Sequence, residues 1–308
     1  MTPRTDPARR AEAGVTLIEL VVAIAVSAVI AGMVTAFMQR PMNAYADARA
    51  RAVLVDSADA ALSRMKREVR LALPNSARIS PDGSTLEILH VVDAARYRRG
   101  PGTNPVDPNT PASPGADHSA ASDWLAFTTT DAQWNVLGRF KYLTFAYGTA
   151  LASNYRIAIY PTGSSIWTQA AAGTSPAAIT PNGTSITIAN DVDEDAIQLS
   201  SAFQFTLESP RQRMYVVDGP ITYRCDTGAE TLTRYAGYLP TAAQPTDPTV
   251  SPLVGASAAL LAGSVATCAF RYDAGTATRA GLVSLALGLA QGTEQVSLLD
   301  QAHVENSP

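Results

Sequence analysis

The sequence predicts an α+β protein in which a long N-terminal helix, membrane-spanning in its first half, packs on a β-rich globular head. Three observations carry that expectation. No charged residue falls between Leu20 and Met38. Apolar residues then recur at spacings of three and four through Leu54, Ala58, Leu62, Met65, Val69 and Ala72, as one buried face of a helix requires. From Thr85 onward the pattern changes to short stretches of alternating apolar residues, separated by Gly, Asp and Pro turns.

Taken in order, the chain opens with a polar leader, Met1 to Gly14, carrying Arg4, Arg9 and Arg10. The uncharged run that follows rises about 28 Å as a helix from Leu20 to Met38, close to the thickness of a bilayer's hydrocarbon core. Glu19 precedes it at membrane depth, where a carboxylate costs about 2.5 kcal/mol or more by insertion scales. Pro41 removes a helix hydrogen bond, so a kink or local loosening is expected there. The amphipathic half then continues until Pro74-Asn75 stops it. The expected organisation is a leader over 1–14, a hydrophobic transmembrane and assembly helix over 15–40, its amphipathic continuation over 41–74, and a β-rich extracytoplasmic head over 75–308.

Within the head, Pro81-Asp82-Gly83 reads as a turn leading into a strand at Thr85–Val92. Arg98 to Ser122, rich in Pro, Gly, Asn and Ser, reads as a long loop. Further strands are expected at Trp124–Thr129, Trp134–Phe145 (as two), Tyr155–Tyr160 and Thr184–Ala189, with Gly163 to Asn182 as an exposed loop holding Trp167. The second half reads as strands at Phe203–Leu207, Met214–Val217, Ile221–Cys225 and Thr231–Tyr235. A Pro/Ala/Thr-rich stretch from Leu239 to Ser257 comes next, then strands at Val265–Tyr272, Leu282–Ala290 and Glu294–Val304. The last two should form a hairpin across Gln291-Gly292-Thr293.

Composition narrows the function. A formal net charge of −4 offers no basic field for nucleic acid, and direct nucleic-acid binding is not expected. Only 16% of the residues are charged, which suits a β-rich extracytoplasmic domain better than a cytosolic enzyme. His90, His118 and His303 lie far apart, none with a partner at zinc-ligand spacing. The sequence holds no GxSxG, Walker or GxGxxG motif, so no enzyme is expected.

The stretch Gly14-Val15-Thr16-Leu17-Ile18-Glu19 resembles the signal of type IV prepilins, with Val15 where those chains usually carry Phe or Met. The resemblance implies cleavage after Gly14 by a prepilin peptidase and N-methylation of Val15. It also implies that Glu19 neutralises the N-terminal amine of a neighbouring subunit during assembly. Implied partners are other major and minor pilins, met through the N-terminal helix, together with the peptidase and the inner-membrane assembly platform. The implied location is the bacterial inner membrane, single-pass with a periplasmic head, with incorporation into a pilus or pseudopilus. A secretory signal peptide would have a shorter apolar core and a processing site at its end. A plain signal anchor would give no role to Gly14 or Glu19.

Further segments are similar to MshO-type minor pilins of mannose-sensitive haemagglutinin pili. They are Phe37-Met38-Gln39-Arg40-Pro41 with Tyr45, Ala72-Leu73-Pro74-Asn75-Ser76, Ile221-Thr222-Tyr223-Arg224-Cys225-Asp226, Thr231-Leu232-Thr233-Arg234-Tyr235 and Gln301-Ala302-His303-Val304-Glu305-Asn306. This likeness implies a minor pilin or pseudopilin that helps assembly, priming or tip formation. The alternatives are a J-type minor pseudopilin of a type II secretion system, a membrane-anchored binding protein or adhesin that never polymerises, and an anchored enzyme. An extracytoplasmic head further implies a disulfide between Cys225 and Cys268 rather than two buried thiols. Some pseudopilins bind calcium, and Asp191, Asp193 and Asp195 occupy positions 1, 3 and 5 of a calcium-loop pattern. Ala196 and Ala202 stand where that pattern needs Gly and Glu, so an acidic turn before the strand at Ile197 is the favoured reading and no cofactor is expected.

Overall fold

Helix α1 runs from Leu17 to Arg70 and passes through Pro41. The computed structural model describes residues 14–100, 120, 123–163, 165–191, 193–275 and 280–304. The chain divides into two compact units, Met1–Ala52 and Val53–Pro308.

In the first unit, Thr16 starts the helix. Its hydroxyl accepts the Glu19 N–H at 3.3 Å and its carbonyl accepts the Leu20 N–H at 3.1 Å, which satisfies donors that have no partner inside the helix. The span Leu17–Met38 has a mean hydropathy of 2.6, and among the described residues nothing buries it. Leu17, Ile18, Phe37 and Met38 all face outward. A helix that is apolar all round and exposed in this way is suited to lipid or to neighbouring apolar helices, not to water.

In the second unit, the face predicted from spacing is buried. Leu54, Ala58, Leu62, Met65, Val69 and Ala72 pack into one core with Leu86, Ile88, Tyr223, Phe270 and Leu285. Arg67 and Arg70 fall in the last turn of the helix, where cations complement its dipole. The Leu71 and Ala72 N–H groups tighten onto the Glu68 and Val69 carbonyls, and Asn75 then takes φ 62° as the chain turns into the head.

Among the described residues twelve strands follow: β1 Arg78–Ile79, β2 Thr85–Arg96, β3 Asp131–Val136, β4 Arg156–Ile159, β5 Ile186–Asp191, β6 Glu194–Phe203, β7 Arg213–Asp226, β8 Thr231–Ala236, β9 Ser257–Ala262, β10 Val265–Asp273, β11 Gly281–Gln291 and β12 Glu294–Val304. A short helix, α2, covers Ile166–Ala172. Six strands form the main sheet in the order β1-β2-β7-β8-β9, with β4 also paired to β7. Two smaller sheets have the orders β10-β11-β12 and β3-β6-β5. Every paired strand is antiparallel.

Strand β7 connects the cores. Its first half lies between β2 and β4, and its second half between β2 and β8. Along the first half, Met214 and Val216 enter a core with Trp134, Ile197 and Phe205. Tyr215 and Val217, on the opposite face, pack with Trp167 and Ile166 of α2. Along the second half, Ile221, Tyr223 and Cys225 join the α1 core. The period-2 alternation of a strand thus serves a different layer on each face.

Several sequence expectations need correction. Met214–Val217 and Ile221–Cys225 are one strand, because Gly219 (φ 107°) and Pro220 fall where β7 exchanges β4 for β8. The missing proline donor therefore lies at a break in that ladder rather than inside it. Gly163–Asn182 contains α2, and Trp167 is only 5% exposed. Trp124–Thr129 is irregular, and only Asp131–Val136 of the next region is extended. Phe205 is buried beyond the end of β6, and β9 starts at Ser257, the last residue of the Pro/Ala/Thr-rich stretch, and runs through residues for which no strand was expected. The leader up to residue 13, most of the Arg98–Ser122 loop with His118, and Glu305-Asn306 lie outside the described residues.

Candidate membrane and assembly segment

Gly14, Val15 and Thr16 precede α1 in non-helical backbone, and Glu19 sits in its first turn. The Thr16–Glu19 spacing is that of a capping box, of which the Thr16 half is formed. An acid in the first turn is also favoured by the helix dipole. Val15 is 69% exposed and lies four residues before Glu19, so both are available to groups outside the chain. A Cβ added at Gly14 would meet no atom within 4 Å, and its φ is outside the left-handed region. Among the described residues nothing therefore requires glycine at that position.

The structure joins Cys225, near the end of β7, to Cys268 of β10, with Cα atoms 6.6 Å apart. The bond ties the main sheet to the β10-β11-β12 sheet beneath the α1 face. The acids of the calcium-like pattern are held by other groups. Asp195 accepts hydrogen bonds from Arg139 Nη1 at 2.9 Å, Tyr147 O–H at 2.8 Å and the Phe140 N–H at 2.8 Å. Asp191 accepts from Asn135 Nδ2 at 2.6 Å, and Asp193 lies in the β5–β6 turn. Among the described residues no group of three or more His, Cys, Asp or Glu side chains is arranged to hold a metal. His90 contacts Asp218 at 2.8 Å, and His303 lies in β12.

Sequence reasoning missed two polar networks under the helix and sheet. Glu68 of α1 accepts hydrogen bonds from Arg234 Nε at 2.8 Å and from the Tyr223 hydroxyl. Burial pushes the Glu68 carboxyl up, but the Arg234 and Tyr223 contacts outweigh it and hold the group below its ordinary range. Burial, reinforced by the Glu68 charge, pushes the Tyr223 hydroxyl up. In the second network Glu87 is fully buried and accepts from Arg78 Nε at 2.7 Å and the Tyr238 hydroxyl at 2.8 Å. Arg78 stacks 3.8 Å over the Trp167 ring and donates to the Thr241, Ala242 and Ala243 carbonyls. One guanidinium thus holds β1, α2 and the 239–250 segment together. The only advance signal was Arg78 and Glu87 flanking a turn, a pattern too common to single out.

Residues 9–35 match the family model for the prokaryotic N-terminal methylation motif. That match supports a type IV pilin-like or pseudopilin protein and points to a structural role rather than an enzymatic one. The motif and the apolar helix after it are consistent with membrane anchoring. No curated protein and no solved structure gives a significant match to the chain.

Proposed function

We propose that this chain is a minor pilin or pseudopilin that takes part in assembly, priming or tip formation of a type IV pilus of the mannose-sensitive haemagglutinin kind. The observation that carries the reading is the junction at the start of α1. Among the described residues nothing packs on Gly14 and nothing buries the span Leu17–Met38, and Glu19 follows Gly14 five residues later. Gly14 suits a narrow protease site because it has no side chain. Cleavage there would free the Val15 amine, and methylation of Val15 would follow. The amine is positive near neutral pH, and both it and Glu19 would be costly alone in hydrocarbon. Glu19 lies about 6 Å further along the axis than Val15, so an axially staggered neighbour can present its amine to Glu19. Pairing between chains offsets both burial costs only in the assembled state. The peptidase, neighbouring pilins and the inner-membrane assembly platform are then the partners, with the head on the periplasmic side.

The test uses Glu19→Ala in cells with an active prepilin peptidase. Expression, N-terminal sequence beginning at methylated Val15, and head folding should match the parent, while co-purification with partner pilins falls severalfold. An intact leader in the parent protein would refute the processing step. Undiminished incorporation of Glu19→Ala would refute the assembly role of the acid. Loss of pilus assembly on deletion, with secretion intact, distinguishes the pilus reading from a J-type pseudopilin.

A further inference from the structure

The segment 239–250, between β8 and β9, has no regular secondary structure, and among the described residues no backbone-to-backbone hydrogen bond joins 239–249 to the rest of the head. Side chains hold it instead, chiefly by its carbonyls. Asn182 Nδ2 donates to the Pro240 carbonyl at 3.0 Å, and Arg224 Nε to that of Thr246 at 2.9 Å. Arg78 Nη1 donates to the Ala242 carbonyl at 2.6 Å, and its Nη2 to those of Thr241 at 3.0 Å and Ala243 at 3.2 Å. Gln244 Nε2 returns two bonds, to the carbonyls of Thr85 at 3.2 Å and Arg78 at 3.4 Å. Glu87, which has no exposed surface, is tied to the same clamp. Arg78 donates through Nε to Glu87 Oε2 at 2.7 Å, and the hydroxyl of Tyr238, at the root of the segment, donates to Oε1 at 2.8 Å. The Tyr238 hydroxyl is also bonded to that of Thr222, which lies opposite Glu87 in the β2–β7 register.

We propose that 239–250 is a pH-sensitive strap, closed over the sheet while Glu87 is protonated and released when Glu87 ionises. A protonated Glu87 is neutral. Its O–H donates to the Tyr238 oxygen, Tyr238 donates in turn to Thr222, and the Arg78 Nη groups stay on the strap carbonyls. An ionised Glu87 beneath a closed strap is a charge shut away from water, which is costly. It also competes for Arg78, because a carboxylate binds a guanidinium best through two parallel N–H donors and here receives one. Turning a second donor to Glu87 takes it from the strap. Opening hydrates the carboxylate and breaks no strand pairing, since 239–250 belongs to no strand. Among the described residues, the charged and titratable groups facing Glu87 are Arg78 from β1 and Tyr238 after β8. Further along, Arg224 of β7 pairs with Asp226, the strap's one acid, Asp247, accepts from Thr249, and α2 carries no charge. Burial lifts the Glu87 carboxyl from an ordinary 4.5 to about 7. Its contribution to closure is therefore fully present below 4.5 and lost as pH rises through 7. The opening equilibrium changes by up to about 300-fold over that interval, at tenfold per pH unit.

The experiment is limited proteolysis of the full-length chain in neutral detergent by proteinase K from pH 5 to 8, with cut sites read by mass spectrometry. Each rate is divided by the rate for a free peptide spanning 237–250 at the same pH. Cleavage within 239–250 should accelerate at least tenfold across this range and level off above pH 7, with circular dichroism unchanged. Glu87→Gln should be cut at the slow acid rate throughout. Gln244→Ala, which removes the strap's bonds to the Arg78 and Thr85 carbonyls, should be cut severalfold faster at every pH and keep the rise. Tyr238→Phe removes a donor that favours the ionised carboxyl, so it should move the levelling-off to higher pH, and it serves if Glu87→Gln misfolds. A flat parent profile, or one that falls as pH rises, overturns the inference. So does a rise retained in folded Glu87→Gln, or a levelling-off unmoved in Tyr238→Phe. Cleavage spread evenly over the head marks unfolding of the whole head rather than release of the strap, and overturns it too.

Discussion

Replacing Glu87 by glutamine should change how the stability of the head responds to pH. The carboxyl of Glu87 is fully buried on β2, bonded to Arg78, Tyr238 and Thr222. Burial lifts it from an ordinary 4.5 to about 7, with the Arg78 charge acting in the opposite direction. Between those values the folded chain keeps a proton that the unfolded chain has released. The contribution of Glu87 to stability is therefore fully present below pH 4.5 and is lost as pH rises through 7. A difference of that size is worth about 3 kcal/mol, at roughly 1.4 kcal/mol per pH unit. Glutamine is neutral throughout and similar in shape, and it leaves Arg78 its stack on Trp167 and its bonds to the 241–243 carbonyls. The assay is urea unfolding of both full-length proteins in detergent, followed by tryptophan fluorescence, from pH 4 to 8. Subtracting one curve from the other cancels the remaining titrating groups. The stability of the parent relative to Glu87→Gln should fall by about 3 kcal/mol across this range. Parallel curves would show that Glu87 titrates alike in both states and would refute the reasoning.

Met65→Ala, at a position with no exposure in the α1 core, should cost about 2–5 kcal/mol in the same unfolding assay through the cavity it leaves. Reduction of the Cys225–Cys268 bond, which closes a separation of 43 residues, should lower head stability by about 4 kcal/mol at most; equal urea midpoints for the oxidised and reduced protein would contradict this. A chain cut near Ala44 should be a detergent-free monomer with mixed helix and strand circular dichroism, because the uncovered apolar span lies at Leu17–Met38 and the Leu54–Val69 face is buried in the head. Solubility only in detergent would refute that assignment.

The sequence by itself determined the helical spine and the class of architecture. An uncharged run and a 3–4 spacing are local signals, and the side chains from Leu54 to Val69 are buried as that spacing requires. The β10, β11 and β12 strands were legible for the same reason, since Leu285, Leu287 and Leu289 alternate on one buried face. The motif at Gly14–Glu19 was legible because its residues are contiguous. What failed were places where a distant partner overrides local preference. Gly219-Pro220 reads as a turn until β4 and β8 are seen to meet β7 on either side of it. Trp167 reads as loop because seven residues make too short a helix to show a period, yet Ser76 accepts its indole N–H at 2.8 Å and Arg78 covers its ring. Strand β9, whose residues are mostly Ala and Leu, is held by pairing with β8 rather than by its own propensity. The Glu68 and Glu87 networks join residues from separate helices, strands and loops. Only tertiary packing, which sets strand register and removes water, decides which of these charges meet.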